Sequence, residues 1–318
     1  MSLTESIKQK AIDLGFDLVG ITGAEAIDAG QIECLSSWLT AGHAAQMQYM
    51  HKNLEKRTNP ASLLAGAKSV ICVALNYKPP TPKQTPPEST STKYAGIANY
   101  ALYEDYHPFI KKRLRKLVDF ISASIRPDKW RFKICVDSAP LAERALAQRA
   151  GLGFVGKNHM LINPRLGLQI LLGELITDLK LDCDSLMTNH CPDCNKCVEA
   201  CPTGALDIKG GFNANKCISY LTIEHKTQIP DSLAAELGNH IFGCDECILA
   251  CPYEINAPPC ANKDFRFFAE RRQIKPAQIL NWAPARFDEY FAASVVKRLG
   301  LERLKRNAKI CLANAGSS

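Results

Sequence analysis

Seven of the chain's fourteen cysteines fall in two short runs, CPDCNKCVEACP at 191–202 and CDECILACP at 244–252. The first run has the spacing C-x2-C-x2-C-x3-C-P, in which three thiolates hold one 4Fe-4S cluster and the fourth reaches a neighbouring cluster. Two clusters are therefore expected, and the second set must return one ligand to the first. Cys217 stands in for the missing first position of the second run. The exchange gives Cys191, Cys194, Cys197 and Cys251 to one cluster, and Cys201, Cys217, Cys244 and Cys247 to the other. Two zinc sites would also use eight thiolates, but they favour paired C-x2-C knuckles and do not call for C-x3-C-P. Disulfides fit poorly, because such tight spacings strain the bridge and nothing in the sequence suggests secretion. The remaining cysteines, Cys34, Cys72, Cys135, Cys183, Cys260 and Cys311, read as small buried hydrophobes of a reducing compartment.

The rest of the chain must supply ordinary folded cores. Of its 318 residues, 46% are hydrophobic and 22% charged, enough for two domains. The start, MSLTESIKQK, lacks the apolar stretch of a signal peptide, and no apolar run approaches the roughly 20 residues that span a bilayer, so a cytoplasmic protein with no membrane contact is expected. A net charge of +7 permits a nucleic-acid partner without requiring one.

Residues 2–14 read as a helix, with Ser2 and Glu5 spaced as a capping box and Leu3, Ile7, Ala11 and Leu14 on one face. FDLVGIT, SVICVALNY and LGLQILLGELIT read as strands, the second apolar enough to be buried on both faces. KPPTPKQTPPESTST reads as an exposed loop. From Glu104 to about Ile125 a helix carries Lys111, Lys112, Arg113, Arg115 and Lys116, a face that is usually just solvated. A strand from Phe132 to Val136 ends at Asp137, after which Ser138 and Pro140 would open a helix bearing Leu141, Ala145, Leu146 and Arg149. By position alone Asp137 reads as a helix cap. The expected class is α+β or α/β, with an N-terminal α/β domain over 1–180, a dicluster ferredoxin-like domain over 181–256 and a helical C-terminal segment over 257–318.

VDSAPLAERALAQRAGLGFVGKN, LGELITDL, CPTGALD, CISYLTIEH and GNHIFGCDECILACP together resemble the epoxyqueuosine reductase family. KRTNP, SVICVALNY and YEDYHPFIKKRL stand in the family's order upstream, so the resemblance covers nearly the whole chain. Some members carry a helical-repeat extension, for which this chain ends too soon, and Asn99 and His240 stand where many relatives are expected to have arginine. The resemblance implies reduction of epoxyqueuosine to queuosine at the wobble position of a tRNA. A cobalamin would do the chemistry, fed by the two 4Fe-4S clusters from an external donor of flavodoxin or ferredoxin type.

By the same resemblance Asp137 is the general acid, which requires burial to raise its pKa. Arg57, Tyr100, Lys157 and Asn158 would contact the cobalamin, with Leu161, Leu172 and Leu175 as an apolar wall. Ser219, Cys244 and Asp245 would lie where cobalt meets the second cluster. Lys226 and Tyr220 are candidate tRNA contacts, and the basic residues between Lys297 and Lys309 (Arg298, Arg303, Lys305 and Arg306) suit phosphates. DYHPFI lacks the glycine of the D-x-H-x-x-G cobalamin motif, having Ile110 in its place, so His107 reads as structural or a weak cofactor contact. The protein is expected to act as a monomer. A corrinoid reductase of a small molecule and a plain dicluster electron carrier are the alternatives, the second leaving the upstream domain without a task.

Overall fold

The computed structural model describes residues 2–80, 94–125, 130–188, 190–191 and 193–316. Most of the proline-rich stretch expected as a loop lies outside the described residues.

Among the described residues eight strands form: β1 (Leu18–Gly23), β2 (Ser69–Asn76), β3 (Gly96–Ile97), β4 (Phe132–Cys135), β5 (Phe154–Val155), β6 (Leu161–Ile162), β7 (Ile170–Thr177) and β8 (His240–Phe242). The main sheet has the order β1-β2-β7-β4, and every neighbouring pair in it is antiparallel. Of the two mixed classes expected, α+β is therefore the one that forms. β2 is buried along its whole length, as its apolar run requires. Ile71, Val73 and Leu75 face the helices Leu3–Asp13 and Tyr106–Ser124, while Val70, Cys72 and Ala74 face the helix Glu143–Arg149. Gly173 on β7 lets the long helix approach closely, since a Cβ there would lie 2.6 Å from Ile110 Cγ2.

The first helix carries the expected capping box. Ser2 Oγ accepts from Glu5 N–H at 3.2 Å, and the Glu5 carboxylate accepts from Ser2 N–H at 2.7 Å. On the helix Tyr106–Ser124, Asp105 is the cap. Arg113 on its basic face lies over the Phe109 ring and donates to Leu14 O and Asp264, a structural use of that charge.

The helix after β4 begins later than its sequence suggests. It spans Glu143–Arg149, its N-cap is Ala142 with no side-chain cap bond, and Leu141 precedes it. Asp137 is therefore not a cap but part of a loop joining strand to helix, and it holds a left-handed backbone at φ +56°. Cys34 and Cys183 are exposed rather than buried, whereas Cys72, Cys135 and Cys311 are buried as expected.

Two features tie the cysteine-rich region to the rest. β3 pairs in parallel with β8, and the C-terminal helix Leu301–Gly316 shares a core with Ala95, Ala101, Ile241 and Phe242. Asn307 on that helix donates to Thr222 O and Ile241 O at 2.9 and 2.8 Å. Among the described residues no helix is long and apolar enough to cross a membrane.

Candidate active site

The thiols sort into two neighbourhoods. Cys251 lies in the field of Cys197, Cys194 and Cys191, whereas Cys247 lies in that of Cys244, Cys217 and Cys201. Two cubane clusters with exchanged fourth ligands need this proximity, and soft thiolates are the donors they need. Cys201 Sγ also accepts a backbone N–H from Ala205 at 3.3 Å, the kind of bond that stabilises a cluster-bound sulfur. Among the described residues no three His, Cys, Asp or Glu side chains close on a single-ion site.

Beside the second set lies a cavity of about 650 Å³, within the range of sites for large organic ligands. Cys217 lines it, so the second cluster would abut whatever the cavity holds. Tyr77, Tyr100, Tyr106 and Phe242 form an aromatic wall, with Leu171 and Leu172 from the start of β7 beside them. Asp137, Glu143, Glu224, Lys226, Arg298 and Arg303 supply charge. A broad apolar wall, a polar rim and an adjacent cluster thiol fit a corrin ring.

Asp137 enters this cavity with 57% of its side chain exposed to it. His107 Nε2 lies 3.0 Å from Asp137 Oδ2, while His107 Nδ1 lies 2.7 Å from Asp105 Oδ1. Arg298 reaches both members of the second pair, at 3.1 Å to His107 Nε2 and 2.9 Å to Asp105 Oδ2. Burial would push Asp137 up, but the His107 hydrogen bond and charge, with Tyr106 and Arg298, outweigh it and hold the carboxyl below its ordinary value. This corrects the expectation of a raised pKa for Asp137. His107 shifts the other way: burial disfavours its charge, yet bonds to Asp105 and Asp137 leave its pKa raised. The two shifts run in the direction that favours a charged His107 between Asp105 and an ionised Asp137.

Other expected residues fall into two groups. Tyr100, Leu172, Ser219, Tyr220 and Lys226 line the cavity with Asp137. Tyr220 is 6% exposed and its hydroxyl accepts from Gln46 N–H at 3.0 Å, which makes it wall rather than a free stacking platform. Leu161 and Leu175 do not fit the wall assigned to them. Leu175 is fully buried on the opposite face of β7 from Leu172, as the two-residue period of a strand dictates, and Leu161 packs in the core under the helix Glu143–Arg149. Asn158 is a support for the cluster loop, its amide donating to Cys247 O at 3.1 Å. Lys157 donates to Asn195 Oδ1 at 2.9 Å, between the first run's cysteines. Asp245, next to Cys244, accepts from Asn99 N–H at 2.6 Å. Arg57 donates to Tyr49 O at 3.4 Å, and its buried Nε has no hydrogen-bond partner among the described residues. His240 Nδ1 lies 2.9 Å from Leu237 O, and its other nitrogen lies 3.5 Å from Glu246.

The C-terminal arginines are largely committed within the protein. Arg303 donates to Leu299 O and Ile223 O, and Arg306 to Leu221 O, His225 O and Thr227 O. These bonds anchor the helix, so phosphate binding by the two arginines is set aside. The sequence reading passed over Glu143 and Glu174. A lone acid in the apolar run LGELIT was the available signal for Glu174.

Thiols for two iron-sulfur clusters, one set opening on a large cavity that holds an aspartate–histidine pair, define an iron-sulfur redox enzyme. Residues 57–138 match the family described as epoxyqueuosine reductase QueG, DUF1730, and residues 190–254 match the 4Fe-4S double cluster binding domain. The chain is 38% identical to the epoxyqueuosine reductase of Pseudomonas aeruginosa over 99% of its own length and 86% of that protein's. Against the epoxyqueuosine reductase of Vibrio cholerae the identity is 37%, over 98% and 84%. The chain belongs to the epoxyqueuosine reductase family. Solved structures agree. An epoxyqueuosine reductase with an epoxyqueuosine-modified tRNA-Tyr stem loop superposes with a TM-score of 0.90 at 30% identity, covering 98% of this chain and 81% of that one. The Bacillus subtilis enzyme, captured with its catalytic aspartate loop swung out of the active site, gives 0.88 at 30% identity and the same coverage.

Proposed function

We propose that this protein reduces epoxyqueuosine in tRNA to queuosine, using cobalamin and two 4Fe-4S clusters, with Asp137 and His107 as the proton-donating pair. The observation that carries the reading is that Cys217 and Asp137 line one cavity: a cluster thiol and an acid meet where a ligand would sit. The tRNA stem loop held by a relative 30% identical to this chain supports the substrate. The relative whose catalytic aspartate loop swings supports Asp137, whose own loop is held in the left-handed region.

Cobalamin, held in the cavity that Cys217 lines, would supply the strongly reducing metal centre. The residues of the chain do the rest. Tyr77, Tyr100, Leu171 and Leu172 exclude water from the cavity, and Asp137 offers an oxygen to the epoxide. Asp137 is ionised at rest, so the proton it passes comes from His107, which Asp105 holds in place from the opposite ring nitrogen. Lys226 at the cavity rim takes a phosphate. The electron donor is a small carrier of flavodoxin or ferredoxin type, and the enzyme works as a cytoplasmic monomer.

The test is anaerobic turnover of epoxyqueuosine-containing stem-loop and of the free nucleoside, at low and moderate salt. The stem-loop should react far better and lose its advantage as salt rises, because each phosphate contact releases counterions. Equal turnover of the nucleoside at every salt concentration would make the protein a small-molecule reductase.

A further inference from the structure

Resting on that reading, we propose that Glu143, backed by the buried carboxyl of Glu174, is a second proton donor of the cavity, distinct from the Asp137–His107 pair. Conversion of an epoxide to an alkene consumes two electrons and two protons. One carbon–oxygen bond opens as the oxygen takes a first proton, and the other breaks as the oxygen takes a second and leaves as water. The external one-electron carrier supplies the electrons. The pair at Asp137 accounts for one proton, and the chain needs a source for the other.

Glu174 lies mid-strand in the central sheet, opposite Cys72 on β2 and Cys135 on β4. It is 0% exposed, and neither carboxylate oxygen receives a hydrogen bond from a donor among the described residues. A bare carboxylate in such a place is untenable, so the group keeps its proton. The flanking thiols of Cys72 and Cys135 are pushed up by burial, so they add no charge of their own. What Glu174 does meet is the carboxyl of Glu143, and the contact becomes a hydrogen bond when Glu174 is the protonated partner.

Glu143 differs from Glu174 in facing the cavity. It opens its helix, and its Oε1 accepts from Asp137 N–H at 2.6 Å. That bond joins the second donor to the strained loop of the first. Burial and the charge of Asp137 raise the Glu143 pKa to about 7, against the lowering effects of the Asp137 N–H, Glu174 and Arg144. Arg57 and Tyr106 are also within its field. The pair thus moves between two protons and one near neutrality. After Glu143 gives up its proton, the remaining anion is held by the acid hydrogen of Glu174 and the N–H of Asp137.

The experiment uses the full chain loaded with clusters and cobalamin, and reads protonation by infrared difference spectroscopy as well as turnover. The unmodified protein should show a carboxylic-acid carbonyl band that survives well above neutral pH and is deleted by Glu174→Gln. A second band should titrate near pH 7 and be deleted by Glu143→Gln. Loss of every acid band by about pH 5, the range of ordinary carboxyls, would overturn the proposal. In single-turnover assays Glu143→Gln should keep KM and the cluster spectrum, lower kcat at least tenfold and lose the fall in rate near pH 7. Glu174→Leu should move that fall to higher pH, since the Glu143 anion loses its donor, and Glu174→Gln should restore it. A wild-type rate and pH profile in Glu143→Gln would also overturn the proposal. If the unmodified protein fails to reduce the stem-loop, the functional reading falls, and the infrared titration still decides the state of the pair.

Discussion

His107 stands between two carboxylates, 2.7 Å from Asp105 on one ring nitrogen and 3.0 Å from Asp137 on the other. Asp105 caps the helix that carries His107, so the turn that starts the helix also aims the imidazole at the cavity. Asp137→Asn should keep cobalamin and stem-loop binding while lowering turnover by about 10² or more, because an amide cannot pass the proton. Near-normal turnover would make Asp137 a structural loop residue.

The same arrangement sets a pH dependence. The folded-state pKa of His107 is raised, so the charge it shares with Asp105 and Asp137 stabilises the fold fully below the ordinary histidine value. That stabilisation drains away as pH rises through the raised value. Thermal melts of the protein and of His107→Gln should diverge most at low pH and converge as the medium becomes alkaline. A constant gap across the range would mean that His107 does not carry the charge.

Replacement of Cys217 by serine should remove the second cluster and leave the first. Iron should fall from about eight atoms per chain to about four, and paramagnetic resonance of the reduced protein should lose the coupling between two clusters. Retention of all the iron would overturn the place of Cys217 among the ligands.

Lys226→Glu should weaken stem-loop binding and flatten its salt dependence by about one unit of slope, the signature of one phosphate contact. The visible spectrum of the clusters should not change. Salt dependence equal to that of the unmodified protein would move the contact elsewhere on the rim.

Asn307→Ala leaves Thr222 O and Ile241 O without their donor in a buried position. Unfolding should become easier by at least about 2 kcal/mol, given about 1–3 kcal/mol for each buried group left unpaired. A shift in urea midpoint with an unchanged slope would confirm that the native state alone has lost stability.

Much of this was legible in the chain itself. Ser2 and Glu5 mark the first helix start, the apolar run around Val73 marks a strand buried on both faces, and the cysteine spacing marks the clusters. Strand direction was not legible, because a two-sided apolar strand reads alike whether its neighbours run with it or against it. The loop at Asp137 was missed because Ser138 and Pro140 are good helix openers, and tertiary contacts delay the helix to Glu143. The roles of His107 and Arg298 could not be read, since two side chains 191 positions apart in sequence meet at 3.1 Å. Leu175 was misplaced because the run that holds it supplies two faces, and its parity with Leu172 decides which one it shows.

The parallel pairing of β3 with β8 has a consequence for the life of the enzyme in air. Among the described residues the cysteines sit on or beside short helices only, Lys196–Glu199, Ile218–Ile223, Glu246–Leu249 and Pro252–Ile255, so cluster ligation would do much of the work of holding them together. Through β8, Phe242 and the Asn99–Asp245 bond, that same region also forms one wall of the cavity. Oxygen that strips the clusters therefore does more than cut the supply of electrons. It would loosen the pocket as well, so a molecule that has lost its clusters should hold cofactor and substrate less tightly.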